Sequence, residues 1–234
     1  MILLYDLAGA GDCRFSPHCW RVRMALAHKG LSYQTRATRF TEIANICDGT
    51  QKTVPVIEDN GKIVSDSWAI ANYLEDTYPQ SASLFGGSGG RALTKFVQNW
   101  TIGTVQGGII NLILGDIHAN LDFADKEYFR ASREKRFGRT LEQVQAGREE
   151  RLPQFRESLQ PLRVLLAAQP WIGGDVPLYA DYLVFGAFQW ARMVSPFTLL
   201  AEDDPITAWF SRALDLHGGL GRQSEPHPTP PVRG

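Results

Sequence analysis

The spacing of apolar and polar positions changes along the chain, and the change predicts two structural regions. Near the N-terminus a short apolar run, Ile2–Leu7, and a β-rich run, Leu31–Thr38, flank a helical stretch over about Pro17–Lys29. The order strand, helix, strand predicts two parallel strands, because parallel neighbours need a crossover connection of this kind.

A hairpin and a second helix are predicted next. The segment "TVPVIEDNGKIVS" places β-rich runs on both sides of Asn60-Gly61, the strongest short hairpin signal. In "DSWAIANYLEDTYP", Ile70 and Leu74 recur at helical spacing, and Pro79 ends the pattern. The first eighty or so residues therefore have the pattern βαβ, a link, then ββα.

Strand signals disappear after the Gly-rich segment "FGGSGG" at residues 85–90. The remaining pattern predicts long helical stretches over about Leu93–Ala119, Glu142–Ala168, Tyr179–Val194 and Pro205–His217. We therefore predict a βαβ-ββα domain over residues 1–84 and an all-helical domain over residues 91–217. The Gly/Pro-rich residues 218–234 are predicted to form an irregular tail.

Composition and charge narrow the classes of partner. The 234 residues include 24 basic and 25 acidic side chains, a balance that disfavours nucleic acid and anionic membrane surfaces as partners. The first residues lack the length and basic leader of a signal peptide, and no run approaches the ~18 apolar residues of a membrane span. The 3 cysteines cannot all pair, and the 5 histidines are scattered. We expect a cytoplasmic protein with reduced thiols and without a metal site.

The start of the first helix raises a chemical question. Small redox proteins of the thioredoxin type have C-P-x-C here, whereas this chain has Ser16-Pro17-His18-Cys19. A hydroxyl thus replaces the attacking sulfur, and the alternative role for Ser16 is a simple helix N-cap. Without a partner cysteine, Cys19 is expected to be a buried apolar residue. Cys13, in the preceding loop, is expected to be a bystander.

Val54-Pro55 is the second candidate element. In a thioredoxin-like fold a cis-proline begins the third strand and faces the first helix. Here it would turn the Val54 backbone outward as a strand edge to which an extended peptide can add. An ordinary proline at the start of a strand is the alternative.

Asp66-Ser67 is the third candidate element, because it lies at the start of the second helix. Both residue types cap helices, which is the simpler interpretation. A helix N-terminus also binds anions, so Ser67 can hold a carboxylate while Asp66 receives an ammonium group. Together the two residues would suit the head group of an α-amino acid.

The ordered set of Ser16, "TVPV" and "SDSWAIANYL" resembles the glutathione transferase family, over nearly the whole chain to about Gly218. The segments "SPHCW", "DSWAIANYLED", "REKRFG" and "YADYLVFGAFQWAR" are most similar to the bacterial glutathione-dependent β-etherase branch. The resemblance implies a thioredoxin-like N-terminal domain, an all-α second domain and glutathione as co-substrate. It also implies a homodimer.

The resemblance further implies a set of site residues and an activity. Ser16 would stabilise the glutathione thiolate, Val54 and Pro55 would hold the peptide, Asp66 and Ser67 the head group, and Lys52 the glycyl carboxylate. Trp100, Gln106 and Ile110 would line the pocket of a small hydrophobic or aromatic electrophile. Solvation is the alternative for Lys52, and core packing is the alternative for each pocket residue.

The resemblance implies transfer of glutathione to a hydrophobic electrophile, and its β-etherase branch adds β-aryl ether cleavage as a candidate form of that reaction. Two other functions stay open at this point. The same fold can carry hydrophobic ligands without turning them over. A glutaredoxin-type disulfide reductase is less compatible, because Ser16 replaces the sulfur and only Cys13 remains as a candidate thiol.

Overall fold

A four-stranded mixed sheet forms the N-terminal part of the computed structural model, which describes residues 1–226. The strands are β1 (Ile2–Leu7), β2 (Tyr33–Thr38), β3 (Val56–Asp59) and β4 (Lys62–Ser65), in spatial order β2-β1-β3-β4. β1 and β2 are parallel, while β3 is antiparallel to both β1 and β4. The predicted crossover and the predicted hairpin are therefore confirmed.

Two helices, α1 (Pro17–His28) and α2 (Ser67–Thr77), complete the thioredoxin-like domain. α1 begins with its proline in the first turn, where the missing N–H costs nothing, and the chain leaves it through Gly30 at φ 66°. The hairpin turns through Asn60 and Gly61, which both adopt positive φ. That conformation is the one that two-residue hairpin turns require.

The C-terminal domain is all-helical, as predicted. Its helices are α3 (Ser88–Trp100), α4 (Gly107–Ala119), α5 (Phe123–Phe137), α6 (Leu141–Gln145), α7 (Arg148–Ser158), α8 (Gln160–Ala168), α9 (Tyr179–Val194) and α10 (Pro205–Leu214). A π-helical turn, Thr101–Gln106, joins α3 to α4 without a break, and one more turn follows at Leu216–Gly219. The two domain classes are confirmed, while the boundary between residues 84 and 91 stays a prediction.

Three sequence-based expectations for the helices were wrong. The first helical stretch, predicted to begin at about Leu93, already begins at Ser88, within the Gly-rich segment. The single stretch predicted over Glu142–Ala168 is divided into three helices by Gly147 and Leu159. The pattern also missed α5, whose strongly polar surface hides its helical period.

The tail predicted over residues 218–234 lies partly against the helical domain. Gln189 Nε2 on α9 donates to the Gly221 carbonyl at 3.0 Å, and Arg192 Nη1 donates to the Ser224 carbonyl at 2.9 Å. These bonds attach residues 218–226 to α9. The remainder of the predicted tail, residues 227–234, lies outside the described residues.

Close packing of α1 on α9 joins the two domains. A Cβ atom added to Gly186 would lie 2.4 Å from the carbonyl oxygen of Pro17, a separation that no side chain can adopt. Two turns earlier on α9, the Tyr179 hydroxyl donates to the Ser67 carbonyl at 2.8 Å. α9 thus contacts the first turns of both α1 and α2.

Gly186→Ala should destabilise the protein by roughly 1–3 kcal/mol, because the methyl group would force α1 away from α9. Gly103→Ala is the matched control, since Gly103 is also helical and has no atom within 4 Å of an added Cβ. That variant should gain up to about 1 kcal/mol from helix propensity. Urea unfolding of both variants measures the difference, and equal stabilities would contradict the close approach.

Candidate functional site

A cleft of about 520 Å³ lies where the sheet domain meets α4, α5 and α9. The sequence-predicted residues that line it are Ser16, Lys52, Val54, Pro55, Asp66, Ser67, Gln106 and Ile110. The fold therefore brings together side chains from four separate parts of the chain. Trp100 is the predicted site residue that does not line this cleft.

Ser16 lies at the N-terminus of α1, buried in the floor of the cleft. Its Oγ accepts a hydrogen bond from the Cys19 amide at 3.3 Å, so the capping role is present. Capping uses a lone pair of the hydroxyl oxygen and leaves its proton available. Ser16 can therefore cap the helix and donate to a ligand at the same time.

The peptide bond between Val54 and Pro55 is cis, as the sequence pattern predicted. Both residues are buried and line the cleft, directly before β3. Lys52 lines the same part of the cleft, and its side chain is exposed. A strand edge and a cation are thus available to one ligand.

Asp66 and Ser67 lie at the start of α2, on the cleft. Asp66 Oδ1 accepts from the amides of Trp68 and Ala69 at 2.9 and 3.0 Å, and Asp66 itself has φ 76°. Capping therefore uses one carboxylate oxygen and leaves Oδ2 for another donor. Ser67 is buried and lines the cleft, and the Tyr179 hydroxyl donates to its carbonyl, which fixes the backbone that carries the Ser67 hydroxyl.

Gln106 and Ile110 line the cleft from the C-terminal domain, whereas Trp100 does not. Trp100 is half-buried and packs against the core. Gln106 is buried, and its Nε2 makes no hydrogen bond within residues 1–226. That amide is therefore free to donate into the cleft.

Aromatic residues that the sequence analysis did not identify form much of the apolar wall: Phe15, Phe40, Tyr128, Phe129 and Trp190. Tyr128 and Phe129 belong to α5, the helix that the pattern missed. The available signals were Asp122 before the helix and Gly138, at φ 66°, directly after it. Phe40 and Phe129 pack together, with ring centroids 5.7 Å apart.

Asp125 joins this wall to the sheet domain. It is fully buried on α5, and its carboxylate accepts from the amides of Phe40 and Thr41 at 2.9 and 3.0 Å. The Thr41 hydroxyl donates to the same carboxylate at 2.9 Å. Three hydrogen bonds therefore hold Phe40 against α5.

The charge of the cleft at neutral pH is positive. Burial, and secondarily the positive charge of Arg21, lower the pKa of His18 to about 3, so this half-buried histidine is neutral. Lys52, Arg133 and Arg136 line the cleft as cations, against Asp66 as the acidic side chain among the described lining residues. The cleft is thus suited to a ligand with net negative charge.

The cysteines lie away from this chemistry. Cys19 is buried as expected, and burial raises the pKa of its thiol well above the usual range. Cys13, the loop residue expected to be a bystander, is also buried, and its Sγ donates to the Met193 carbonyl at 3.6 Å. Neither sulfur lines the cleft that contains Ser16.

Residues 1–226 contain neither a candidate metal site nor a candidate membrane-spanning helix. Among these residues there is no cluster of three or more His, Cys, Asp or Glu side chains able to hold a metal ion. None of the helices in the same part of the chain combines the length and apolar character needed to cross a membrane.

Solved structures of similar fold include two fungal proteins. A glutathione S-transferase of Ceriporiopsis subvermispora, in complex with glutathione, has a TM-score of 0.80 at 27% identity, over 98% of this chain and 99% of the other. Glutathione transferase GSTFuA3 of Phanerochaete chrysosporium has a TM-score of 0.76 at 29% identity, over 95% and 94% of the two chains.

Sequence relatives agree with this likeness. A maleylacetoacetate isomerase of Pseudomonas aeruginosa is 30% identical over 178 residues, which cover 72% of this chain and 74% of the relative. Residues 12–82 match the family model of the glutathione S-transferase N-terminal domain, and residues 92–209 match that of the C-terminal domain. The chain therefore belongs to the glutathione S-transferase family.

Proposed function

We propose that the protein transfers the thiolate of glutathione to a hydrophobic or aromatic electrophile. The observation that carries the proposal is the Ser16 hydroxyl, which lies in the cleft at the start of α1 with its proton available. Glutathione is the co-substrate, in keeping with the family and with the glutathione complex of the fungal neighbour.

The energy needed to activate the thiol can be supplied by this arrangement. A thiol with a pKa of ~8.5 is only ~3% ionised at pH 7, and lowering the pKa by two units requires ~2.7 kcal/mol. A helix N-terminus supplies ~0.3–1 kcal/mol, which is too little alone. A hydrogen bond from a hydroxyl to the charged sulfur supplies a further ~1.5–3 kcal/mol, so the two together suffice.

The rest of glutathione would extend from this point in both directions. The Oδ2 atom of Asp66 would accept from the α-ammonium group, while the hydroxyl and the amide of Ser67 would hold the α-carboxylate. The backbone of Val54 would pair with the peptide as an added strand. Lys52 would meet the glycyl carboxylate.

The electrophile would occupy the apolar part of the cleft, among Gln106, Ile110 and the aromatic wall. For a β-aryl ether, the sulfur forms a bond to the β-carbon, the carbon–oxygen bond breaks, and a phenolate leaves with the electron pair. The motifs that resemble the β-etherase branch favour this reaction, and the tilted rings of Phe40 and Phe129 suit contact with aromatic groups.

The rival functions have less support in the structure. A disulfide reductase needs an accessible low-pKa thiol, whereas Cys13 and Cys19 are buried away from the cleft. A ligand carrier needs no donor to the bound thiol, so the position of Ser16 favours an enzyme. We propose the cytoplasm as its compartment, because glutathione is kept reduced there.

We further propose a homodimer, as is usual in this family. Leu93 and Phe96 lie three residues apart on α3 and are 71% and 72% exposed, so one helix face presents two large apolar side chains to solvent. A second copy of the chain, packed on this face, would bury both residues.

Ser16→Ala should raise the pKa of the bound glutathione thiol by about one unit and lower turnover about 10-fold, because one hydrogen bond to the sulfur is lost. Ultraviolet titration of the thiolate measures the shift, and Ser16→Thr should restore it. Ser67→Ala is the control, expected to weaken glutathione binding with little change in thiol pKa. An unchanged titration in Ser16→Ala would rule out the proposed role.

A panel of electrophiles should show glutathione-dependent release of a phenol from a β-aryl ether dimer. Chromatography of the phenol and the glutathione thioether, against a blank that contains only glutathione, detects the reaction. Conjugation of an aryl halide without any ether cleavage would leave a transferase that is not an etherase. Glutathione binding without any product would favour the carrier.

The protein should sediment as a dimer, and Phe96→Arg should convert it to a monomer by placing a charge in the interface. Phe123→Arg is the control, because Phe123 is a similarly exposed aromatic residue on a different helix, α5. Sedimentation velocity distinguishes the species. A monomeric wild-type protein, or a Phe96→Arg dimer, would contradict the proposed interface.

A further inference from the structure

Two arginines of α5 line the same cleft as the aromatic wall. The Arg133 guanidinium lies 4.7 Å from the ring centroid of Phe129 and 5.6 Å from that of Phe40. Arg136 lies three residues after Arg133 on the same helix, lines the cleft and is exposed. A cationic edge therefore borders the apolar surface where an electrophile would lie.

Neither arginine is neutralised by the protein. Across residues 1–226, no carboxylate lies within 4.0 Å of the Arg133 or Arg136 guanidinium, whereas Arg130 pairs with Glu134 at 2.9 Å and with Glu142 at 2.8 Å. Arg133 Nη1 donates to the Ser132 hydroxyl at 3.0 Å. Burial and the charge of Arg136 lower the pKa of Arg133, so an anion would relieve an unfavourable environment.

The charged groups of glutathione are all assigned to residues other than Arg133 and Arg136. In the proposed function the α-carboxylate belongs to Ser67, the ammonium to Asp66 and the glycyl carboxylate to Lys52. We infer that Arg133 and Arg136 bind a carboxylate carried by the electrophile itself. The inference rests on the proposed function and names its substrate class: an aromatic electrophile with an acid group.

The chemistry of the pair fits this class. A guanidinium presents parallel N–H donors that match the two oxygens of a carboxylate. The Phe40 and Phe129 rings beside it offer faces and edges for the ring that bears the acid. Asp125 fixes Phe40 against α5, so cation and rings keep a constant relation.

The same carboxylate chemistry has a second possible source, the glycyl end of glutathione. The experiment separates the two sources by two binding measurements. Calorimetry first measures glutathione binding to wild-type, Arg133→Met and Arg136→Met protein. It then measures binding of para-nitrobenzoate and its methyl ester to the glutathione-loaded proteins. Arg139→Met is the matched control, because Arg139 is an exposed arginine beyond Gly138 and outside the cleft.

Wild-type protein should bind the benzoate about 10-fold or more tightly than the ester. The preference should fall to near 1 in Arg133→Met, decrease in Arg136→Met and partly return in Arg133→Lys. It should persist in Arg139→Met. Glutathione affinity should change less than about 3-fold throughout. Arg136→Met keeps the test decisive if Arg133→Met does not fold, because Arg136 is exposed.

Three results would overturn the inference. The first is an ester that binds as tightly as the acid to wild-type protein. The second is a preference for the acid that survives in both methionine variants. The third is a loss of glutathione binding in the variants with an unchanged preference for the acid. The last result would assign the arginines to the glycyl carboxylate.

Turnover separates this inference from the proposed function. With a chloro-dinitrobenzoate, the sulfur forms a bond to the ring carbon, the carbon–chlorine bond breaks, chloride leaves with the electron pair and the thiol proton passes to solvent. Equal turnover of the chloro-dinitrobenzoate and its methyl ester would support the proposed glutathione transfer. It would contradict the inference that the arginines select an acid group. A binding preference without turnover of any acceptor would support the anion site and contradict the transferase function.

Discussion

The contact between Gly186 and the Pro17 carbonyl is the constraint on which the rest of the structure depends. A single side-chain atom at Gly186 would separate α1 from α9. Seven residues earlier, Tyr179 holds the Ser67 carbonyl. Because seven residues make about two helical turns, both contacts lie on one face of α9. One buried helix therefore fixes the starts of α1 and α2, which carry the residues proposed to bind the thiol and the head group of glutathione.

The other wall of the cleft depends on a second contact between domains. Asp125 satisfies the amides of Phe40 and Thr41, which begin the short 3₁₀ segment after β2. A buried carboxylate is costly unless it is fully hydrogen-bonded, and these bonds compensate its desolvation. The bonds also fix the separation between Phe40 and α5. The size of the acceptor region is thus set by a polar contact rather than by apolar packing alone.

The local features of the site could be predicted from the sequence, and the features that depend on tertiary packing could not. The Ser16 cap and the Asn60-Gly61 turn depend on neighbouring residues, so short segments predict them.

Helix geometry alone already separates Trp100 from Gln106 and Ile110, the other candidates for the electrophile pocket. At 3.6 residues per turn, Ile110 lies about 40° from Gln106, whereas Trp100 lies about 120° from it. The π-helical turn at Thr101–Gln106 alters this relation further.

α5 shows a different reason for failure. Its sequence is dominated by charged residues, so a search for an apolar face gives a weak signal, although Asp122 and Gly138 mark its ends. Arg130 and Arg133 are three residues apart in a run of similar composition. Arg130 pairs with two glutamates, while Arg133 lies over two aromatic rings. The distinction arises only when α5 packs against Phe40.

Local sequence and tertiary packing supply different functions of the proposed site. In the proposed reaction, activation of the thiol depends on a helix N-terminus and one hydroxyl, both specified by a few adjacent residues. Recognition of the acceptor depends on side chains of α4, α5 and α9 that meet only in the folded protein. Substitutions at Arg133 can therefore change which electrophile binds without reaching Ser16, because separate elements supply the two functions. The same fold can therefore keep the glutathione thiolate as its nucleophile while different members bind different electrophiles.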